Sequence, residues 1–166
     1  MSQKLKKTPP RLPQVFQKYA PPLYLVTICT LERRAILANP EVHESFREFG
    51  ERGQEFLIGV GRYVIMPDHL HAFVRIGGDV SLSRWVKGLK RTLDKTLESS
   101  GHTATTIPGC LINSFWQPGS FDHLLRHSES YADKWHYVAM NPVRAGLVSS
   151  PGDWPFRGEI VLIDRA

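Results

Sequence analysis

The sequence predicts an α+β fold, a ferredoxin-like antiparallel sheet flanked by helices. Three observations carry that prediction. Strand-type and helix-type runs follow one another in the order β-α-β-β-α-β-α, which suits a single sheet with helices packed on it. The two central strand-type runs, "FLIGVGRYVIM" and "HLHAFVRI", are separated only by Pro67 and Asp68, a break short enough for an antiparallel pair. A chain of 166 residues, 42% of them hydrophobic, can also enclose one core without staples.

Taken in order, residues 1–22 hold Pro9, Pro10, Pro13, Pro21 and Pro22 among polar residues and read as an extended arm. "LYLVTICT" (23–30) is short, apolar and β-branched, as in a buried strand. Asn39 suits an N-cap and Pro40 a first helical position, opening a helix to about Gly50 with Val42, Phe46 and Phe49 on its apolar side. Residues 56–66 read as a strand, bulged near Gly59 and Gly61, and residues 69–76 as the next. Residues 80–99 give the clearest helix: Leu82, Trp85, Val86, Leu89, Leu93 and Leu97 recur at three- and four-residue steps. A loop is expected over 99–109 and a short strand with irregular edges within 115–126. Ser128, with Glu129 behind it, caps a helix through about Met140, and the final residues read as peripheral. The expected organisation is an arm (1–22), a domain (23–148) and a tail (149–166).

Composition narrows the function classes. No apolar run approaches the roughly 20 residues of a membrane span, and the N-terminus lacks the apolar core of a secretory signal, so a cytoplasmic protein is expected. Cys29 and Cys110 show no metal-type spacing and suggest a reducing compartment; Cys29 reads as packing. The formal charge is +5, a mild excess compatible with nucleic acid. It is concentrated in two places. Lys4, Lys6, Lys7, Arg11 and Lys18 lie in the arm, and Arg84, Lys87, Lys90, Arg91 and Lys95 lie on one helix, where a solvated face is an equally good reading.

"MPDHLHAF" (66–73) is the stretch with the most chemistry. Strand side chains alternate, so His69 and His71 share a face with Cβ atoms roughly 6.6 Å apart. They can lean onto one metal ion, or stand as two polar residues on a wet sheet face. Two histidines seldom complete a site, so a third ligand is required. His123 and His127, near a strand end, read as surface or hydrogen-bonding residues. Tyr137 and Asn141 are four apart and share one helix face. Alone they read as a core aromatic and a helix terminator, although the Asn141 amide oxygen is a metal-ligand group. Trp116 stacks on a base or packs, and packing is the simpler reading.

"MPDHLHAF", "FWQPGSFDHLLR" (115–126) and "HYVAMNPVRAGLV" (136–148) come in the order found in REP-associated tyrosine transposases, single-tyrosine members of the His-hydrophobic-His nucleases. The chain resembles that family over about residues 23–156. The resemblance implies that His69, His71 and Asn141 hold Mg²⁺ or Mn²⁺, that Asp68 fills the slot before the histidines, and that Tyr137 is the nucleophile. Imidazole ligands suit Mn²⁺ at least as well as Mg²⁺. It further implies cleavage and rejoining of single-stranded DNA beside hairpins through a 5′-phosphotyrosine, by a monomer in preference to a homodimer. A hairpin-DNA-binding regulatory protein that does not cleave is the main alternative. A metal phosphodiesterase acting through water is another, although the second HxT motif of two-histidine phosphoesterases is absent.

Overall fold

The computed structural model describes residues 21–126 and 131–163. The arm residues Lys4, Lys6, Lys7, Arg11 and Lys18 lie outside the described residues, as do His127 and the cap expected at Ser128 and Glu129. The fold is α+β, as the sequence predicts. Strand β1 (Leu23–Cys29) leads through a short turn to helix α1 (Pro40–Gly53). Asn39 Oδ1 accepts the Val42 amide at 2.9 Å and Pro40 sits in the first turn, the two features that start this helix. Strands β2 (Ile58–Ile65) and β3 (His69–Ile76) follow, then helix α2 (Leu82–Ser99), whose N-cap Ser81 accepts the Arg84 amide at 3.2 Å.

The segment expected as a loop after α2 (99–109) holds strand β4 (Thr105–Thr106), which pairs with β5 (Asn113–Ser114) just beyond it in a small hairpin. Two-residue strands are too short to show periodicity. Strand β6 (Phe121–Leu124), helix α3 (Tyr131–Ala139), the single-turn helix α4 (Asn141–Arg144) and strand β7 (Arg157–Glu159) complete the chain.

Five strands form one antiparallel sheet in the order β6-β1-β3-β2-β7. Alternation along β1 and β3 divides the molecule into two layers. Tyr24, Val26, Ile28, Leu70, Ala72 and Val74 face α1 and α2 and join the core of Phe46, Trp85, Leu89, Leu93 and Leu97. Leu23, Phe73 and Val64 face the other way, into a second core with Tyr131, Val138, Trp154 and Ile163. His69 and His71 have the parity of Phe73, so they lie on the face that α3 covers.

The register of β2 against β3 shifts between Val60 and Tyr63, a bulge at Gly61 as the sequence suggests. A Cβ on Gly61 would stand 2.6 Å from Ile163 Cδ1 and 3.0 Å from Tyr131 Oη. Glycine here lets α3 and the C-terminal segment close onto the sheet, and the freed Arg62 amide donates to Tyr131 Oη at 3.2 Å.

The final residues correct the expectation that they are peripheral. Arg157–Glu159 supplies the fifth strand, and Trp154 is buried with its indole N–H donating to the Ile65 carbonyl at 2.9 Å. The β7 sequence, Arg-Gly-Glu, has no apolar alternation because it only pairs at an edge. Trp154→Ala is expected to cost about 3–5 kcal/mol in urea unfolding, whereas Trp154→Phe, keeping most of the ring, costs less.

Candidate functional site

The site grows from the register of β3 against β1. His69 stands opposite Cys29, and His71 lies between Thr27 on β1 and Val64 on β2. The two imidazoles are 4.9 Å apart between centroids and nearly perpendicular. Each uses Nδ1 within the protein. His69 Nδ1 meets Asp68 Oδ1 at 2.7 Å, and His71 Nδ1 meets Thr27 Oγ1 at 2.7 Å. His69 Nδ1–H donates to the Asp68 carboxylate, which leaves the lone pair on Nε2, whereas the Thr27 hydroxyl can either donate to His71 Nδ1 or accept from it. A carboxylate or hydroxyl behind an imidazole is the arrangement that orients a metal-ligating histidine.

Arg33 supports the cluster from the turn after β1. Its Nε lies 2.8 Å from Asp68 Oδ2, its Nη1 donates to Cys29 Sγ at 3.0 Å, and its Nη2 approaches His69 Nδ1 at 3.4 Å. Glu32 and Arg33 both have φ of 56°, the left-handed region that side chains disfavour by about 1–2 kcal/mol per residue. That backbone turns the Arg33 guanidinium back over the end of β3.

The electrostatics follow from this packing. Burial pushes the Asp68 carboxyl up, but the His69 hydrogen bond and charge and the Arg33 guanidinium outweigh it and hold the group below its ordinary value. Burial, reinforced by the neighbouring His69, Arg144 and Arg33 side chains, pushes His71 down to about 4. His71 is therefore neutral at pH 7, the form a metal requires. The sign of the stability effect is fixed by this direction. Between pH 6.5 and about 4 the unfolded chain binds a proton at His71 that the folded chain refuses, so stability falls as pH drops through that window. In EDTA, wild type is expected to lose about 3 kcal/mol more than His71→Asn between pH 7 and 4 in denaturant titrations.

Helices α3 and α4 bring the remaining groups to the same face. Tyr131 packs edge-on against Phe73 at 4.6 Å and Trp135 reaches the same ring at 6.5 Å, which seats α3 on the sheet. Tyr137 is 65% exposed, so it is not the core aromatic of the simpler reading. Asn141 opens α4 on the turn after Tyr137. Arg144 joins them: Nη2 donates to the Tyr137 carbonyl at 2.7 Å and to Asn141 Oδ1 at 2.6 Å, and the guanidinium lies 4.2 Å from the Tyr137 ring centroid. Asn141 Nδ2 is buried and unpartnered. Among the described residues no three His, Cys, Asp or Glu side chains gather as a metal site. Imidazole nitrogens and an amide oxygen are donor types that a divalent cation accepts.

The basic helix lies elsewhere. Arg84, Lys87, Arg91 and Lys95 are exposed along α2, which packs on the sheet face away from the histidines. Lys90 leaves the stripe: its ammonium donates to the Gln117 carbonyl at 2.9 Å and the Gly119 carbonyl at 2.6 Å, anchoring the approach to β6. Trp116 is buried, donating Nε1–H to Asp94 Oδ1 at 2.5 Å, so it packs. Cys29 is also buried, as expected. His123 lies on β6 opposite Leu25. Thr27, Arg33 and Arg144 are site residues that the sequence reading missed. Thr27 was open to inference, since strand pairing places one residue of β1 beside His71.

The family described as "Transposase IS200 like" matches residues 22–138. The REP-associated tyrosine transposase of Escherichia coli K12 is 28% identical over 99 residues, 58% of this chain and 52% of that protein. The chain therefore matches about half the length of this curated relative. A solved REP-associated tyrosine transposase bound to a REP hairpin superposes with a TM-score of 0.61 and 20% identity, covering 83% of this chain and 76% of that one. At that identity the likeness concerns the fold.

Proposed function

Since the chain belongs to the IS200-like transposase family, we propose that it cleaves and rejoins single-stranded DNA next to hairpin sequences, with Tyr137 as nucleophile. The observation that carries this reading is the histidine pair: two imidazoles 4.9 Å apart, both with Nδ1 engaged by Asp68 or Thr27, on the sheet face that α3 covers.

The chemistry is a transesterification. Tyr137 Oη attacks the scissile phosphorus in line, the bond from phosphorus to the 3′-oxygen breaks, and that oxygen leaves to become a 3′-OH. The protein carries the 5′ end as a phosphotyrosine. One phosphodiester has replaced another, so a DNA 3′-OH can reverse the step without ATP. A phenol, which ordinarily titrates near pH 10, leaves more readily than an alkoxide, which suits a link made to be reversed. The 65% exposure of Tyr137 leaves its hydroxyl accessible to a strand lying over the site.

His69, His71 and Asn141 are the residues that would hold Mg²⁺ or Mn²⁺. Bound there, the ion would polarise the phosphate and offset the charge growing on its oxygens. Asp68, Thr27 and Arg33 keep the imidazoles oriented, and burial keeps His71 neutral. Arg84, Lys87, Arg91 and Lys95, with the arm residues Lys4, Lys6, Lys7 and Arg11, would contact phosphates of the hairpin. The α2 residues lie on the sheet face away from the histidines, which fits a folded DNA that reaches around the sheet edge. The chain acts as a monomer in this reading, and no helix among the described residues is long and apolar enough to cross a membrane.

The test incubates the protein with Mn²⁺ and hairpin DNA carrying a single-stranded flank. A covalent adduct that peptide mapping assigns to Tyr137 supports the proposal. Tight binding with no adduct supports the regulatory binder instead.

A further inference from the structure

The contacts of Arg144 raise a question about order of events. Among the described residues its guanidinium holds the side-chain oxygen of Asn141 at 2.6 Å, while the amide nitrogen of the same side chain is buried without a partner. Turning the amide over would not help, since it would set an N–H against the guanidinium. Arg144 also holds the Tyr137 carbonyl at 2.7 Å and covers the Tyr137 ring at 4.2 Å. A single cationic side chain thus fastens the proposed nucleophile and the proposed third ligand together, before any metal has entered.

We infer that Arg144 is a built-in competitor of the divalent cation for Asn141 Oδ1, so that cation entry and release of the guanidinium are one exchange. This inference rests on the reading of His69, His71 and Asn141 as the metal ligands. An amide oxygen accepting a charge-assisted hydrogen bond from a full positive charge cannot offer the same lone pair inward to a metal, and two cations on one oxygen repel. The oxygen has a second lone pair, but a cation placed on it stands against the guanidinium charge, so entry of the metal favours release of Nη2. The guanidinium thereby lowers the affinity of the histidine pair for metal in the absence of DNA. On displacement the clamp on Tyr137 opens as well, which makes cation binding and freedom of the nucleophile linked equilibria.

The test measures Mn²⁺ affinity of the full chain without DNA, by calorimetry and by the electron paramagnetic resonance signal of free Mn²⁺. Arg144→Gln is expected to bind Mn²⁺ about tenfold more tightly than wild type, the size of one charge-assisted hydrogen bond removed from competition. The gain should vanish in an Asn141→Ala background, because the contested oxygen is gone. Unchanged or weaker Mn²⁺ binding in folded Arg144→Gln overturns the inference. A gain that survives Asn141→Ala also overturns it, because simple charge repulsion would then account for the effect. Circular dichroism and a thermal melt confirm that each variant is folded. Failure of the underlying reading is recognised separately: His69→Ala and His71→Ala would then leave Mn²⁺ affinity unchanged.

Discussion

Tyr137→Phe is expected to abolish covalent capture of DNA and lower strand cleavage by about four orders of magnitude or more, while leaving hairpin affinity within about twofold of wild type. The substitution removes one oxygen. The ring stays, and with it the stacking beneath Arg144, whose anchor on residue 137 is the backbone carbonyl and not the hydroxyl. Because the side chain is 65% exposed, no buried hydrogen bond is broken and stability should change little. Loss of activity would then report the chemistry of the hydroxyl and nothing about folding. The measurement pairs a denaturing gel of labelled hairpin substrate with a binding titration on the same preparation. Cleavage that continues in Tyr137→Phe would point to attack by water, the phosphodiesterase alternative. A surviving adduct would place the nucleophile at another residue.

How much of this was legible in the sequence depends on how each feature is encoded. The strands β1 and β3 and the helix α2 are written in repeated apolar positions, and they lie where periodicity puts them. Asn39 announces its helix because capping is a local interaction between residues three apart. The histidine pair is equally local: alternation alone places both rings on one face. Other features depend on partners distant in sequence. Trp154 is buried because Ile65, 89 residues away, offers it a carbonyl, and nothing near Trp154 says so. Lys90 belongs to a regular basic stripe by spacing, yet its charge is spent on the Gln117 and Gly119 carbonyls of a neighbouring segment. Arg33 reaches Asp68 and Cys29 from a left-handed backbone that its residue type does not advertise. The same distinction explains the basic helix. Its composition suggests phosphate contacts, whereas its place behind the sheet follows only from the topology; in the proposed function that place would put the hairpin, more than the scissile strand, against it.

The second large effect concerns the imidazoles. His69→Ala and His71→Ala each remove one of the two nitrogen donors of the proposed metal site, whose proposed third ligand, Asn141, is already engaged by Arg144. Each is expected to weaken Mn²⁺ binding by more than about a hundredfold and to take DNA joining below detection, with hairpin binding retained. The residues behind the imidazoles should give a graded version of the same result. Thr27→Val keeps the shape of the side chain but deletes the oxygen at 2.7 Å from His71 Nδ1, so the tautomer and the ring orientation are no longer fixed. Asp68→Asn removes the charge shared by His69 and Arg33. Both should lower Mn²⁺ affinity by about 10–100-fold, the usual size of a lost orienting partner. That ordering discriminates between the two readings of the pair. If His69 and His71 were merely polar residues on a solvated sheet face, Thr27→Val would alter stability and leave Mn²⁺ affinity where it was. An affinity that tracks the hydrogen-bond partner of Nδ1 requires that Nε2 of the same ring carry the metal.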